Sequence, residues 1–324
     1  MKRQKHSHLL SIANGIFFFG LSLLLLLTLL GMSGDRPVWL GLFAHFKLQY
    51  ALALIPFCIW YLFRGKWLWF MLGLAAFLIN FPAKPPVFSA NRNTSQGEKV
   101  YSLLSHNVLA FNVFHEKVKT YLEEEDPDFI LLHEYTPDLH RSLAPLWERY
   151  PYRRALPRYG FTGSMLASKY PIKRPEAIWF GPMDVPSLTA VVSLPEGEIR
   201  LVGIHPPSPP NARDIHYRNA FMDSLARQIK GPWAVEELPL LLAGDFNNTP
   251  YHPRFQNFLR ESGLKDSRLG MGNQASFPTH LGKFGIPLDH ILISSDMQVH
   301  SRKTGPGCGS DHLPLYLEFS LLSE

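Results

Sequence analysis

The chain has 324 residues and a formal net charge of +5, but the charge is unevenly placed. Residues 1–99 hold 10 Lys and Arg against 2 Asp and Glu, while residues 100–324 hold 22 against 25, a net of −3. The basic balance therefore belongs to an apolar N-terminal part and is no evidence for a nucleic-acid-binding surface. The two cysteines, Cys58 and Cys308, give neither a disulfide framework nor the spacing of a thiolate metal centre.

Leu9–Gly31 is 23 residues without a charge, and roughly 20 apolar residues span a bilayer core. A signal-peptide core is shorter, about 7–15 residues, and further apolar runs follow, so the segment reads as a retained span. Leu48–Phe63 and Trp67–Ala83, separated by Arg64-Gly65-Lys66, read as a helical hairpin; a re-entrant or interfacial pair is the alternative. Residues 1–83 are thus expected to form a lipid-bilayer anchor of about three helices, 9–31, 48–63 and 67–83. A proline-rich polar linker, 84–99, follows. Lys2, Arg3, Lys5, Arg64 and Lys66 put their segments on the cytoplasmic side by the positive-inside rule. Three spans then place residues 100–324 beyond an inner cell membrane, in an extracytoplasmic or periplasmic position, and losing one span reverses this.

From Val100 onward, short β-rich runs alternate with helical stretches. Val100–Ser105, Phe129–His133, Met165–Ser168, Thr189–Leu194, Ile199–Ile204, Leu238–Ala243, Leu288–Ile293 and Leu315–Phe319 read as strands. His115–Glu125 reads as a helix that Asp126-Pro127-Asp128 breaks, and Arg213–Lys230 carries Ile215, Met222, Leu225 and Ile229 at helical spacing. Strands with intervening helices indicate an α/β domain with a buried sheet.

Polar residues gather where these strands end. Asn107 follows the first, Glu134 the second and His205 the Ile199–Ile204 run. Asp245 and Asn247 follow Leu240–Ala243, Asp289 begins a late strand, and Asp311 and His312 precede the last. Strand ends on one edge of a sheet converge, and functional groups commonly sit there. Singly each has a bland account as a turn or surface residue; together they form an inventory of carboxylates, amides and imidazoles. His290 should point to the opposite face from Asp289 by period-two alternation. It is read as structural, as are His106 and His133.

Ser105-His106-Asn107, His133-Glu134, Gly244-Asp-Phe-Asn247, Pro287-Leu-Asp-His-Ile291 and Gly309-Ser-Asp-His312 stand in the order and rough spacing of the endonuclease/exonuclease/phosphatase superfamily. Gly163–Ile172 and Ser276-Phe-Pro278 add to the match, and residues 100–324 resemble the deoxyribonuclease I-like members, as a membrane-anchored bacterial branch. The resemblance implies a four-layer α/β sandwich of two packed sheets flanked by helices, with a divalent metal at the strand ends. By the same resemblance Glu134 is the principal metal ligand, with Asn107 and Asp311 beside it. Asp245 orients or deprotonates the attacking water, and Asn247 holds that water or the phosphate. His312, oriented by Asp289, contacts the scissile phosphate, and His205 contacts phosphate or protonates the leaving group. Hard oxygen donors suit Mg²⁺, with Mn²⁺ as a substitute.

The reaction expected is hydrolysis of a phosphodiester by metal-assisted, in-line attack of water. The substrate is a phospholipid or other envelope phosphodiester, because tethering keeps the domain near lipid. The alternatives are a tethered nuclease acting on DNA or RNA and a catalytically silent binding module. No protein partner is implied. The prolines of His205–Pro210 read as one wall of the cleft or as a rigid connector.

Overall fold

The computed structural model describes residues 2–33, 38–81, 99–208 and 211–322. The chain divides into two compact units, Met1–Pro85 with Tyr251–Pro253, and Pro86–Pro250 with Arg254–Glu324.

Among its described residues the first unit holds three α-helices, α1 (Lys2–Met32), α2 (Lys47–Phe63) and α3 (Trp67–Asn80), with a 3₁₀ stretch, Val38–Phe46, running into α2. Leu21, Leu54, Tyr61 and Ala76 form its buried cluster, and Phe17 stacks on Trp60 at 4.3 Å. A Cβ on Gly20 would lie 2.6 Å from the Phe57 ring, so a small residue there lets α1 and α2 approach closely. Asn80 Nδ2 donates to Thr28 Oγ1 at 2.7 Å, tying α3 to α1. His8–Met32 and Trp39–Phe63, 25 residues each, are long and apolar enough to cross a membrane, and 17% and 22% of their most apolar 18-residue stretches are buried. The second of these begins well before the expected Leu48, because the 3₁₀ stretch lengthens it. The third expected span is a 14-residue helix, about 21 Å long against a hydrocarbon core of about 30 Å. The end of that expected span and nearly all of the expected linker, together residues 82–98, lie outside the described residues, as do Pro209 and Pro210.

Among the described residues, the second unit is built on twelve strands in two six-stranded mixed sheets. Strands β1 (Tyr101–Asn107), β2 (Phe129–His133), β3 (Tyr152–Leu156), β4 (Ser164–Ser168), β11 (Met297–Thr304) and β12 (Leu315–Leu321) form the first, in the order β11-β12-β1-β2-β4-β3. Strands β5 (Ile172–Ile178), β6 (Ser187–Leu194), β7 (Gly197–Ile204), β8 (Leu240–Asp245), β9 (Lys265–Asp266) and β10 (Asp289–Ile293) form the second, in the order β5-β6-β7-β8-β10-β9. Each sheet has one parallel pair at its centre, β1 with β2 and β7 with β8. These four strands and β10 are buried on both faces almost throughout, which is why they read as apolar runs rather than alternating ones.

One face of each sheet packs on the other through Leu103, Phe129, Leu131, Leu201, Leu241, Ala243 and Ile291. The outer face of the first sheet is covered by α4 (His115–Glu125), through Val118, Tyr121 and Leu122, and by α5 (Pro137–Ser142). That of the second is covered by α6 (Ala212–Lys230) and α7 (Pro253–Ser262), through Phe221, Leu225, Phe255 and Phe258. The arrangement is an α/β sandwich of two packed sheets flanked by helices. Asn211 caps α6, its side chain accepting from the Arg213 and Asp214 amides at 3.0 and 3.1 Å.

The edge strands β3, β5, β9 and β11 were not among the expected ones. An edge strand is half solvated, so β3 reads Tyr-Arg-Arg-Ala-Leu with no apolar period, and β5 carries Pro175 beside a bulge. Arg153 and Arg154 therefore lie on an exposed edge strand.

Candidate active site

The site is assembled by strand periodicity. Asn107 stands opposite His133 in the β1–β2 register, Ile204 opposite Gly244 in β7–β8, and Asp245 opposite Asp289 in β8–β10. Counting back by two from Asn107, His133 and Asp245, and forward by two from Asp289, meets Ser105, Leu131, Ala243 and Ile291, so the four polar residues continue the inter-sheet face at its end. His290, one residue on, falls on the opposite face. Its ring lies 4.3 Å from Phe255 and 5.2 Å from Phe246, and its Nε2 donates to Asn248 O at 2.9 Å, which makes it a structural residue as expected.

The backbone bends sharply where the strands stop. Glu134 and Asn247 adopt left-handed conformations, φ 57° and 48°, which non-glycine residues hold at some cost and mostly at functional sites. Gly244 has φ 149°, and a Cβ there would lie 1.9 Å from Ile204 O and 2.8 Å from His133 Nε2. Only glycine lets β7 and β8 close on each other just before Asp245.

Asn107 Nδ2 donates to Glu134 Oε1 at 3.0 Å and to Asp245 Oδ2 at 3.1 Å, bridging two buried carboxylates. Glu134 Oε2 accepts from the Ala110 amide at 2.9 Å. His205 Nδ1 donates to Phe161 O at 3.1 Å, which turns its Nε2 to Asp245 Oδ2 at 3.6 Å and Glu134 Oε1 at 3.9 Å. His312 Nδ1 donates to Asp289 Oδ2 at 2.8 Å, and its Nε2 also stands 3.6 Å from Asp245 Oδ2. Asp245 is therefore flanked by two imidazoles and one amide. The Asn247 amide N–H donates to Asp245 Oδ1 at 2.8 Å, while its side chain donates to Pro206 O at 3.0 Å.

Charge follows from this packing. Burial alone would lower the His312 imidazole, but the Asp289, Asp245 and Asp311 carboxylates outweigh it and hold it up to about 10. His312 is a cation at neutral pH. His106, which donates to His312 O at 3.2 Å, is pushed by burial down to about 3, and His133 is lowered well below its ordinary value by burial and by the neighbouring histidines. One imidazolium thus stands between two carboxylates, with two neutral histidines behind.

The donor set fits a hard divalent cation. The ligand-type atoms of Asp245, Asp289 and His312 lie within 4.8 Å of one another, all buried; the two carboxylates are the oxygen donors, and the protonated His312 ring stands beside them. Glu134, joined to Asp245 through the Asn107 amide, adds a further carboxylate. Oxygen donors at this density suit a cation of the Mg²⁺ kind.

Of the expected site residues, Asn107, Glu134, His205, Asp245, Asn247, Asp289 and His312 are all buried and come together. Asp311 is exposed; its carbonyl accepts from the Thr279 amide at 2.8 Å, and its charge acts on His312. Three supports were not anticipated. Arg218, fully buried on α6, donates to Asn247 O at 2.9 Å. Ser310 Oγ donates to Asn107 O at 2.7 Å and accepts from the His312 amide at 3.0 Å. Ser276 Oγ accepts from the Leu288 and Asp289 amides, both at 3.1 Å. A signal for Arg218 was present: it sits on the stripe of Ile215, Met222, Leu225 and Ile229, where a solvated arginine has no place.

No curated protein shows significant sequence similarity to the chain. Solved structures share its fold. D. rerio TDP2 complexed with single strand DNA product is 19% identical, with a TM-score of 0.59 over 69% of this chain and 100% of that one. The human Nocturnin catalytic domain with bound sulfate is 18% identical, with a TM-score of 0.58 over 68% and 94%. A Bacteroides thetaiotaomicron endonuclease/exonuclease/phosphatase family protein is 15% identical, with a TM-score of 0.59 over 70% and 100%. The model of the Endonuclease/Exonuclease/phosphatase family matches residues 104–312, from the middle of β1 to His312. By that match, which takes in every strand-end residue of the site, the chain belongs to the endonuclease/exonuclease/phosphatase family and is a metal-dependent hydrolase of ester bonds.

Proposed function

We propose that the chain is a membrane-anchored, Mg²⁺-dependent phosphodiesterase that cleaves its substrate by in-line attack of water. The observation that carries the reading is Asp245 held within 3.6 Å of two imidazoles, one of them clamped by Asp289. Asp245 takes the proton of the attacking water as its oxygen bonds to phosphorus. His312, fixed as a cation, faces the phosphoryl oxygens and offsets the charge that builds on them. His205, with Nδ1 committed to Phe161 O, presents Nε2 to the leaving oxygen and protonates it as the phosphorus–oxygen bond breaks. Asn247 holds Asp245 through its backbone amide. Glu134 and the neighbouring carboxylates would hold Mg²⁺ or Mn²⁺, with Asp311 at the rim; Asn107, whose Nδ2 donates to Glu134 and Asp245 while its Oδ1 accepts from the Leu109 amide, fixes those carboxylates in place. When bound, the ion supplies Lewis-acid stabilisation of the phosphoryl group.

The anchor is the two apolar segments, His8–Met32 and Trp39–Phe63. The basic residues at positions 2, 3 and 5 favour a cytoplasmic N-terminus. Two spans would leave residues 100–324 on the cytoplasmic side of an inner membrane, and insertion of the short third helix would carry them to the extracytoplasmic side. A lipid headgroup phosphodiester is favoured by tethering and by the net −3 of residues 100–324. A nuclease reading rests on the shared fold with the D. rerio TDP2–DNA product complex.

The test uses residues 97–324 and its His312→Ala variant against single-stranded DNA, RNA, phospholipids and bis(p-nitrophenyl) phosphate. Turnover with Mg²⁺ that is lost with EDTA and falls by roughly 10²-fold or more in the variant is expected. Equal turnover by both proteins would refute the assignment, and the preferred panel member separates lipid from nucleic acid.

A further inference from the structure

Around the mouth of the site the surface is apolar where a hydrolase of polar substrates would be polar. Phe111 and Val113 are 72% and 78% exposed, Tyr159 72%, and Phe114, Phe161 and Leu281 about half. They are bound to the site by its own contacts. Phe111 follows Ala110, whose amide holds Glu134, and the Phe161 carbonyl holds His205. The Phe111 and Phe161 rings meet edge to face at 5.5 Å, joining the loops after β1 and β3. Phe114 packs over Gly309, in the loop that ends in His312. Leu281 lies on a 3₁₀ turn that Thr279 ties to the carbonyls of Ser310 and Asp311. Three loops tied to the catalytic groups therefore each raise an apolar side chain into solvent, and scattered surface hydrophobics do not explain that coincidence.

We infer that this collar is the face by which the site engages a lipid bilayer, the aromatic rings seating at the headgroup level while a lipid phosphodiester enters between them. The inference rests on the phosphodiesterase reading above and deepens it. Aromatic side chains suit the bilayer interface. The cations on these loops face partners of their own: Arg158 pairs with Asp184 at 2.8 Å, Lys117 Nζ lies 4.5 Å over the Phe114 ring, and Lys283 Nζ lies 5.4 Å over the Phe284 ring. A nucleic-acid path would require free basic groups along the same rim. The chain itself carries two segments able to cross a membrane, so the bilayer is the apolar partner nearest at hand.

The test places the full chain in nanodiscs of phosphatidylcholine and phosphatidylglycerol. An environment-sensitive fluorophore is attached at Phe111→Cys or, on an exposed site remote from the collar, at Val235→Cys, with Cys58 and Cys308 replaced by serine. A blue shift and quenching by headgroup-proximal doxyl lipid are expected at 111 and not at 235. In Phe111→Ser/Phe161→Ser, the ratio of kcat/KM for a long-chain lipid phosphodiester to that for bis(p-nitrophenyl) phosphate should fall about tenfold. A fluorophore at 111 that stays in water, quenching at 235 instead, or an unchanged ratio would overturn the inference. So would a variant whose chief loss is binding of a single-stranded oligonucleotide, which would make the collar a base-stacking platform. Absence of wild-type turnover on every substrate would sink the phosphodiesterase reading alone, since the quenching result does not depend on catalysis.

Discussion

His312 carries its charge because Asp289 accepts from its Nδ1 at 2.8 Å while Asp245 and Asp311 stand nearby. With Asp289 in place the imidazole stays protonated until the pH nears 10; without it, burial pulls the value down and the cation is lost at lower pH. Asp289→Asn is expected to lower kcat roughly 10²-fold, with its alkaline limb displaced to lower pH. A pH–rate profile of both proteins with Mg²⁺ checks this, and an unmoved alkaline limb would mean that His312 is not the charged group. At this scale the strand-end residues were legible, because period-two alternation marks which polar side chain continues a buried face. Arg218 was marked as buried by its place on an apolar helical stripe, but its role was not legible, because its partner is a backbone carbonyl 29 positions away. The Asn247 side chain, expected to hold the water or the phosphate, donates its Nδ2 to Pro206 O.

The elements carry the site by their register. The close approach of β7 and β8 depends on Gly244, whose φ of 149° and lack of a Cβ let Ile204 O and His133 sit against it. Gly244→Ala should destabilise the domain by about 3 kcal/mol or more and displace Asp245. Urea unfolding and turnover measured together would show it, and a variant that is both stable and active would contradict the packing argument. Helix α4 matches its expected bounds residue for residue, and α6 begins one residue early at its Asn211 cap, since both have an amphipathic face and clear stop signals. The edge strands β3, β5 and β11 escaped because solvent on one side removes the pattern that would reveal them.

At the scale of the molecule, the two units have separate cores: the buried cluster of the first draws on residues up to Phe77, and those of the second on residues from Tyr101 onward. The second core encloses neutral histidines, and acid should open it. Burial depresses His290 to about 4 and His106 to about 3. Between pH 6.5 and about 4 the unfolded chain binds protons at these positions that the native one does not, so the contribution of these two histidines to stability is full above pH 6.5 and falls as the pH drops. Each histidine adds a slope of about 1.4 kcal/mol per pH unit. Chemical denaturation across pH 4.5–7 should show this slope reduced in His290→Gln; an identical slope would show that His290 takes up no extra proton on unfolding.

The sequence alone determined the class of fold, the separation of an apolar N-terminal region from an α/β domain, and the strand-end residues that carry the family resemblance. Those are written locally, in hydrophobic period, helix caps and short motifs. Only the tertiary structure decided which sheet each strand joins, that Asp245 lies between two imidazoles, that Asp311 faces solvent, and that the loops around the site present aromatic side chains outward. These depend on contacts between residues far apart in the chain, and no local pattern of side chains encodes a distance across two packed sheets.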